Sequence, residues 1–123
     1  MALPTPKPLD RVYVSAHMTD LSTASSAFVV SPVRGYIKKA WSVIYNSISG
    51  ADSVWTMKIN GTAITGVSVT VANAGSAGGD MDTGAPTSLT TSFVNENDRI
   101  EFVSDGASST TCATTFTAEI EVV

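Results

Sequence analysis

A single histidine, His17, and a single cysteine, Cys112, stand in a background of serine, threonine and valine. Most catalytic sites need a proton shuttle, an activated nucleophile or a cluster of metal ligands. Hydroxyls and carboxylates are plentiful here, but no spacing sets them beside a base. The Gly-x-Ser-x-Gly turn of a nucleophile elbow is absent. Gly75-Ser76-Ala77-Gly78-Gly79 lacks the Lys and Ser/Thr that complete a phosphate-binding loop. Cys112 lies in a Ser/Thr-rich stretch with no basic neighbour to make it a thiolate, and reads as an inert small residue.

Two carboxylate groupings come nearer to chemistry. Asp80-Met81-Asp82 places two carboxylates where both can reach a hard cation such as calcium. A complete calcium loop needs more oxygen ligands and a glutamate at its twelfth position, which counted from Asp80 is Thr91. These aspartates are therefore weak metal candidates, and their simpler role is to solvate a loop. A glycosidase needs one carboxyl in an apolar pocket facing another across a cleft. Strand alternation turns Glu101, Glu119 and Glu121 outward instead. The expectation is a chain that is not an enzyme and that needs no metal or cofactor.

Composition excludes other classes. Charged residues make up 15% of the chain against roughly 25% in an average domain. The net charge is −4, and the only basic doublet is Lys38-Lys39. Two side chains leaving a strand on opposite faces account for that doublet. No basic stripe suggests nucleic acid, and nothing suggests an anionic membrane surface. Apolar runs are too short to span a bilayer. No charged segment followed by an apolar core marks a signal peptide, so synthesis in the cytoplasm is expected.

The elements that must position these residues are strands. β-branched residues are abundant and leucine is scarce. Val12, Val14 and Ala16 alternate with Arg11, Tyr13, Ser15 and His17, the pattern of a half-buried strand. Trp55, Met57 and Ile59 share a face, as do Val67, Val69 and Val71, Ile100 and Phe102, and Phe116, Ala118, Ile120 and Val122. The stretch 35–46 is the longest strand candidate, with Ile37, Trp41, Val43 and Tyr45 expected together. Asn60-Gly61 marks a hairpin turn. Residues 73–91 read as a long glycine-rich loop with a function or mobility of its own. Seven or eight strands without a convincing helix predict an all-β antiparallel β-sandwich. The jelly roll is the expected form and the immunoglobulin-like sandwich the alternative. Pro4, Pro6 and Pro8 set residues 1–10 apart as an extended arm, and 11–123 as one sandwich domain.

From Val67-Ser68-Val69-Thr70-Val71-Ala72-Asn73-Ala74-Gly75 through Val94-Asn95-Glu96-Asn97-Asp98-Arg99-Ile100-Glu101-Phe102 to Thr115-Phe116-Thr117-Ala118-Glu119-Ile120-Glu121-Val122, the chain resembles the small β-sandwich decoration, or cement, proteins of tailed bacteriophages and cyanophages. Gly35-Tyr36-Ile37-Lys38-Lys39-Ala40-Trp41 fits the same pattern. The resemblance implies a homotrimer on the capsid exterior, with the major capsid protein as partner and clamping of the shell as function. It implies no catalytic residue. It makes the arm, with Pro4, Pro6, Lys7 and Pro8, the capsid-binding segment. The competing expectation is a carbohydrate- or receptor-binding sandwich of a tail fibre or lectin-like protein. There Tyr36, Tyr45 or Trp55 would stack on sugars and Asp80 with Asp82 would hold calcium.

Overall fold

The computed structural model describes residues 3, 4 and 10–123. Pro4 is exposed, and Pro6, Lys7 and Pro8 of the expected arm lie outside the described residues. The strands are β1 (Arg11–Met18), β2 (Ser25–Val30), β3 (Gly35–Ile44), β4 (Ser53–Ile59), β5 (Thr62–Val71), β6 (Met81–Gly84), β7 (Phe93–Val94), β8 (Arg99–Ser104) and β9 (Thr114–Val122). One helical turn, α1 (Leu89–Ser92), precedes β7. One sheet runs β1-β9-β3-β6, with β7 also on β3; the other runs β2-β8-β4-β5. Every pairing is antiparallel. The expected all-β antiparallel sandwich is the fold observed.

The core forms where the inward faces of both sheets meet. Trp55 from β4, Phe102 from β8 and Phe116 from β9 are fully buried. Their ring centroids lie 4.9–6.1 Å apart, two pairs edge-to-face and Phe102 with Phe116 stacked. The Trp55 indole N–H donates to Ser42 Oγ at 3.0 Å, so a sheet-crossing hydrogen bond satisfies the one polar atom of this cluster. Other buried hydroxyls are also used: Ser104 Oγ donates to the Leu21 carbonyl, and Ser53 pairs with Ser108. Among the described residues, Thr114 Oγ1 is the buried side-chain oxygen left without a partner.

The expected faces of β1, β4, β8 and β9 are those observed, but β3 departs. Its register with β9 shifts between Ile37 and Lys39, leaving Lys38 without a partner. An extra residue of this kind turns every later side chain to the opposite face. Ile37, Ala40, Ser42 and Ile44 point into the core, while Trp41, Val43 and Tyr45 point outward. Ile37 therefore does not share a face with Trp41, Val43 and Tyr45. The bulge also leaves both Lys38 and Lys39 exposed.

Residues 73–91 are more ordered than a loop reading allows. Ser76 Oγ bonds to the carbonyls of Ile48 and Asn73 and accepts from the Ile48 N–H. The Gly79 N–H reaches the Ile44 carbonyl at 2.7 Å. The segment then continues as β6 against residues 40–43 of β3, and β7 rejoins β3 at residues 35 and 36. The two are one edge strand interrupted by residues 85–92. That detour is tied to the opposite sheet, where the Thr87 N–H donates to the Thr65 carbonyl and the Thr65 N–H to Thr91 Oγ1. At the hairpin, Asn60 and Gly61 take φ of 49° and 86°, as a type I′ turn requires.

Asp20 organises the loop after β1. Its carboxylate accepts from the Ser22 hydroxyl at 2.6 Å, the Thr23 hydroxyl and the backbone N–H groups of Ser22 and Cys112. The Ser22 hydroxyl bond is the largest influence holding its pKa down at about 2, with desolvation opposing and the Cys112 N–H assisting. A depressed carboxylate stabilises the fold above its unfolded pKa of about 3.9 and loses that contribution as pH falls toward the folded value. Asp20→Asn should therefore flatten the loss of stability between about pH 4 and 2, measured by thermal unfolding across that window. Ser42→Ala strands the Trp55 indole N–H in the core and should lower unfolding free energy by about 1–3 kcal/mol in urea titration.

Candidate interaction face

Strand alternation fixes what the β1-β9-β3 sheet shows to solvent. The inward set of β9 is Thr114, Phe116, Ala118 and Ile120, so Thr115, Thr117, Glu119 and Glu121 face out. Register places His17 opposite Thr115, Ser15 opposite Thr117, Tyr13 opposite Glu119 and Arg11 opposite Glu121. On the other flank, Val43 lies opposite Thr115, Trp41 opposite Thr117, Lys39 opposite Glu119 and Tyr36 opposite Glu121. β9 is thus a polar midline between two strands that carry aromatic rings.

The rings meet across that midline. Tyr13 and Trp41 have centroids 6.3 Å apart, and His17 packs edge-on to Tyr45 at 5.7 Å. Lys39 Nζ sits 5.2 Å from the Trp41 ring centroid. Tyr13 and Tyr45 are each 57% exposed, whereas Trp55 is fully buried. The hydroxyls are engaged locally: Tyr45 with Thr115 at 2.8 Å, Ser15 with Thr117 at 3.3 Å and Tyr13 with Glu119 at 2.9 Å. Arg11 closes the polar end, 2.7 Å from Glu119 and 3.4 Å from Glu121. The Glu119 hydrogen bond is the main influence raising the Tyr13 pKa above its ordinary value, aided by desolvation and the Glu119 charge.

The residues singled out from sequence do not converge. Asp80 and Asp82 border a cleft of about 190 Å³ with Ile44, Val71 and Ala74. Asp80 Oδ2 accepts from the Ala77 N–H at 2.9 Å, and partial burial followed by the Asp80 charge pushes the Asp82 pKa up. No group of three or more His, Cys, Asp or Glu side chains gathers to hold a metal among the described residues. Glu101 lies on the outer face of the β2-β8-β4-β5 sheet and accepts from Ser26 Oγ, while Glu119 and Glu121 occupy the opposite side of the sandwich. These carboxylates cannot face one another across a cleft. Cys112 is buried, with its thiol directed at the Asn46 carbonyl at 3.3 Å. Trp55 is core, so it is no sugar platform; Tyr45 is exposed and Tyr36 packs on Phe93 at 5.3 Å. Trp41 was missed as a surface residue because the bulge reversed its face. The Lys38-Lys39 doublet, which breaks the apolar alternation, was the available signal.

The geometry defines an antiparallel two-sheet sandwich with a polar-aromatic outer face on one sheet. No protein-family model matches the chain, and no curated relative does. A chain in the cyanophage Pam1 capsid asymmetric unit has the same fold, with a TM-score of 0.58 and 14% identity over 100% of this chain and 94% of that one. The catalytic unit of the thermostable GH87 α-1,3-glucanase from Streptomyces thermodiastaticus strain HF3-3 contains a similar sandwich, with a TM-score of 0.50 and 17% identity. That match takes in 94% of this chain but 26% of the glucanase chain.

Glu119→Gln removes the carboxylate that accepts from the Tyr13 phenol. The Tyr13 pKa should then fall toward the ordinary tyrosine value, read by ultraviolet difference titration against the other two tyrosines.

Proposed function

We propose that this chain is a structural virion protein that binds the outer surface of a phage capsid and stabilises it as a decoration protein, without catalysis. The observation that carries the reading is the end-to-end likeness to a chain of the cyanophage Pam1 capsid asymmetric unit, with little of either chain left over. We read the strand order β1-β9-β3-β6 facing β2-β8-β4-β5 as a jelly roll, since β1, β2, β3 and β4 alternate between the sheets and the later strands fill in beside them. Physical chemistry supports a role in protein contact. The surface carries few charges and many hydroxyls, so little charge desolvation opposes a broad interface.

On this reading the chain is a homotrimer, its partner is the major capsid protein, and it sits on the exterior of the virion after synthesis in the host cytoplasm. The edge strands β1 and β2 are the kind of surface that symmetric assembly covers. Residues 2–10 are the capsid-binding segment on this reading, and their prolines at positions 4, 6 and 8 limit the chain entropy that docking costs. Deleting residues 2–10 should leave thermal unfolding unchanged and reduce co-sedimentation with undecorated cyanophage heads by at least about tenfold. Equal binding by the truncated chain would remove the arm from the proposal. Failure of the full chain to sediment with any such head would remove the decoration role.

A further inference from the structure

We infer that the outer face of the β1-β9-β3 sheet is a binding platform for a neutral polysaccharide, with Tyr13, Trp41, His17 and Tyr45 as its stacking surface. The face is nearly neutral. Its charged groups Arg11, Glu119 and Glu121 already pair with one another, and Lys39 lies over Trp41. Little net charge remains to attract an anionic or cationic ligand. Among the described residues aliphatic surface here is also sparse: Val43 and, on the neighbouring edge strand, Met81. A protein partner held by apolar burial would want more.

What the face offers is aromatic rings beside hydroxyls. Sugar rings have the complementary surface: apolar C–H faces that pack on aromatic rings, and hydroxyls that both donate and accept hydrogen bonds. Thr115 and Thr117 lie on the β9 midline, and the hydroxyls of Ser15, Tyr13 and Tyr45 stand beside it. The ring pairs repeat. Tyr13 and His17 are four residues apart on one flank, as are Trp41 and Tyr45 on the other, a separation of roughly 13 Å along the strands. Two such pairs set a track along β9 on which a short run of linked pyranose rings can lie. Rigid strands hold the rings in place, so little ordering entropy is lost on binding. The platform is independent of capsid attachment, and none of its residues belongs to 1–10.

The test is affinity electrophoresis of the full chain in gels containing dextran, mixed-linkage β-glucan, galactomannan or arabinoxylan, with polygalacturonate as the anionic control. At least one neutral gel should retard the protein and the control should not. Tyr13→Ala and Tyr45→Ala should each weaken retardation about three- to tenfold, in line with the loss of one aromatic contact. Both side chains are exposed, and thermal unfolding confirms that each variant is folded. Tryptophan emission gives a second readout, because Trp55 is sealed in the core and Trp41 is not. Ligand-induced emission change should vanish in Trp41→Phe. Migration unaffected by all four neutral polysaccharides overturns the inference. So does retardation that the Tyr13→Ala/Tyr45→Ala double variant retains. Concentration-dependent self-association abolished by that double variant would instead assign the face to a second copy of the chain, and would also overturn it.

Discussion

The hydrogen bond from the Trp55 indole to Ser42 is where the two sheets commit to one another. Trp55 brings the largest buried side chain in the molecule, and its N–H must find a partner once water is excluded. Ser42 can serve only if β3 presents it inward. With Ser42 inward, Trp41 and Val43 have to point outward. Phe102 and Phe116 then pack on the same indole from the two sheets, which fixes the facing of β8 and β9. The threonines and glutamates of the β9 midline are the reverse side of that packing. One buried polar group thus decides which residues become surface.

The bulge at Lys38 reconciles this requirement with the start of β3. Ile37 is buried before it and Ser42 after it, five positions apart, a spacing that strict alternation cannot place on one side. The same level of the sheet is where the edge strand breaks into β6 and β7. Residues 85–92 leave the sheet there, cross to β5 and return. A helical turn and Pro86 lie within this detour, so the edge offers only short runs of unpaired backbone. That geometry blunts strand-to-strand aggregation on this side of the sandwich.

How much of this was legible depended on how local the deciding interaction was. β8 was readable to the residue because Ile100 and Phe102 alternate with Arg99 and Glu101 between clear turn signals. The Asn60-Gly61 turn was readable because its backbone conformation is intrinsic to those residues. The facing of Trp41 was not, because a bulge answers to a partner strand far away in sequence. The ordering of 73–80 was hidden for a similar reason: Ser76 and Gly79 find their partners at Ile48 and Ile44, across another loop. No candidate catalytic or metal cluster formed from Asp80, Asp82, His17 or Cys112, because topology sent them to separate places: a cleft edge, an outer face and the core.

The two outer faces of the sandwich differ in kind. The β2-β8-β4-β5 sheet shows Thr56, Lys58, Glu101 and Val103 to solvent, with aromatic character limited to Phe28, on which Arg99 lies at 5.4 Å. The β1-β9-β3 sheet shows paired rings in two registers. A partner that docks on a sheet face is selected by such a difference between faces. The aromatic face has a firm support: its middle strand, β9, is paired on both sides along its length, and its inner surface packs on Trp55. A ligand bound there would meet rings that are already held.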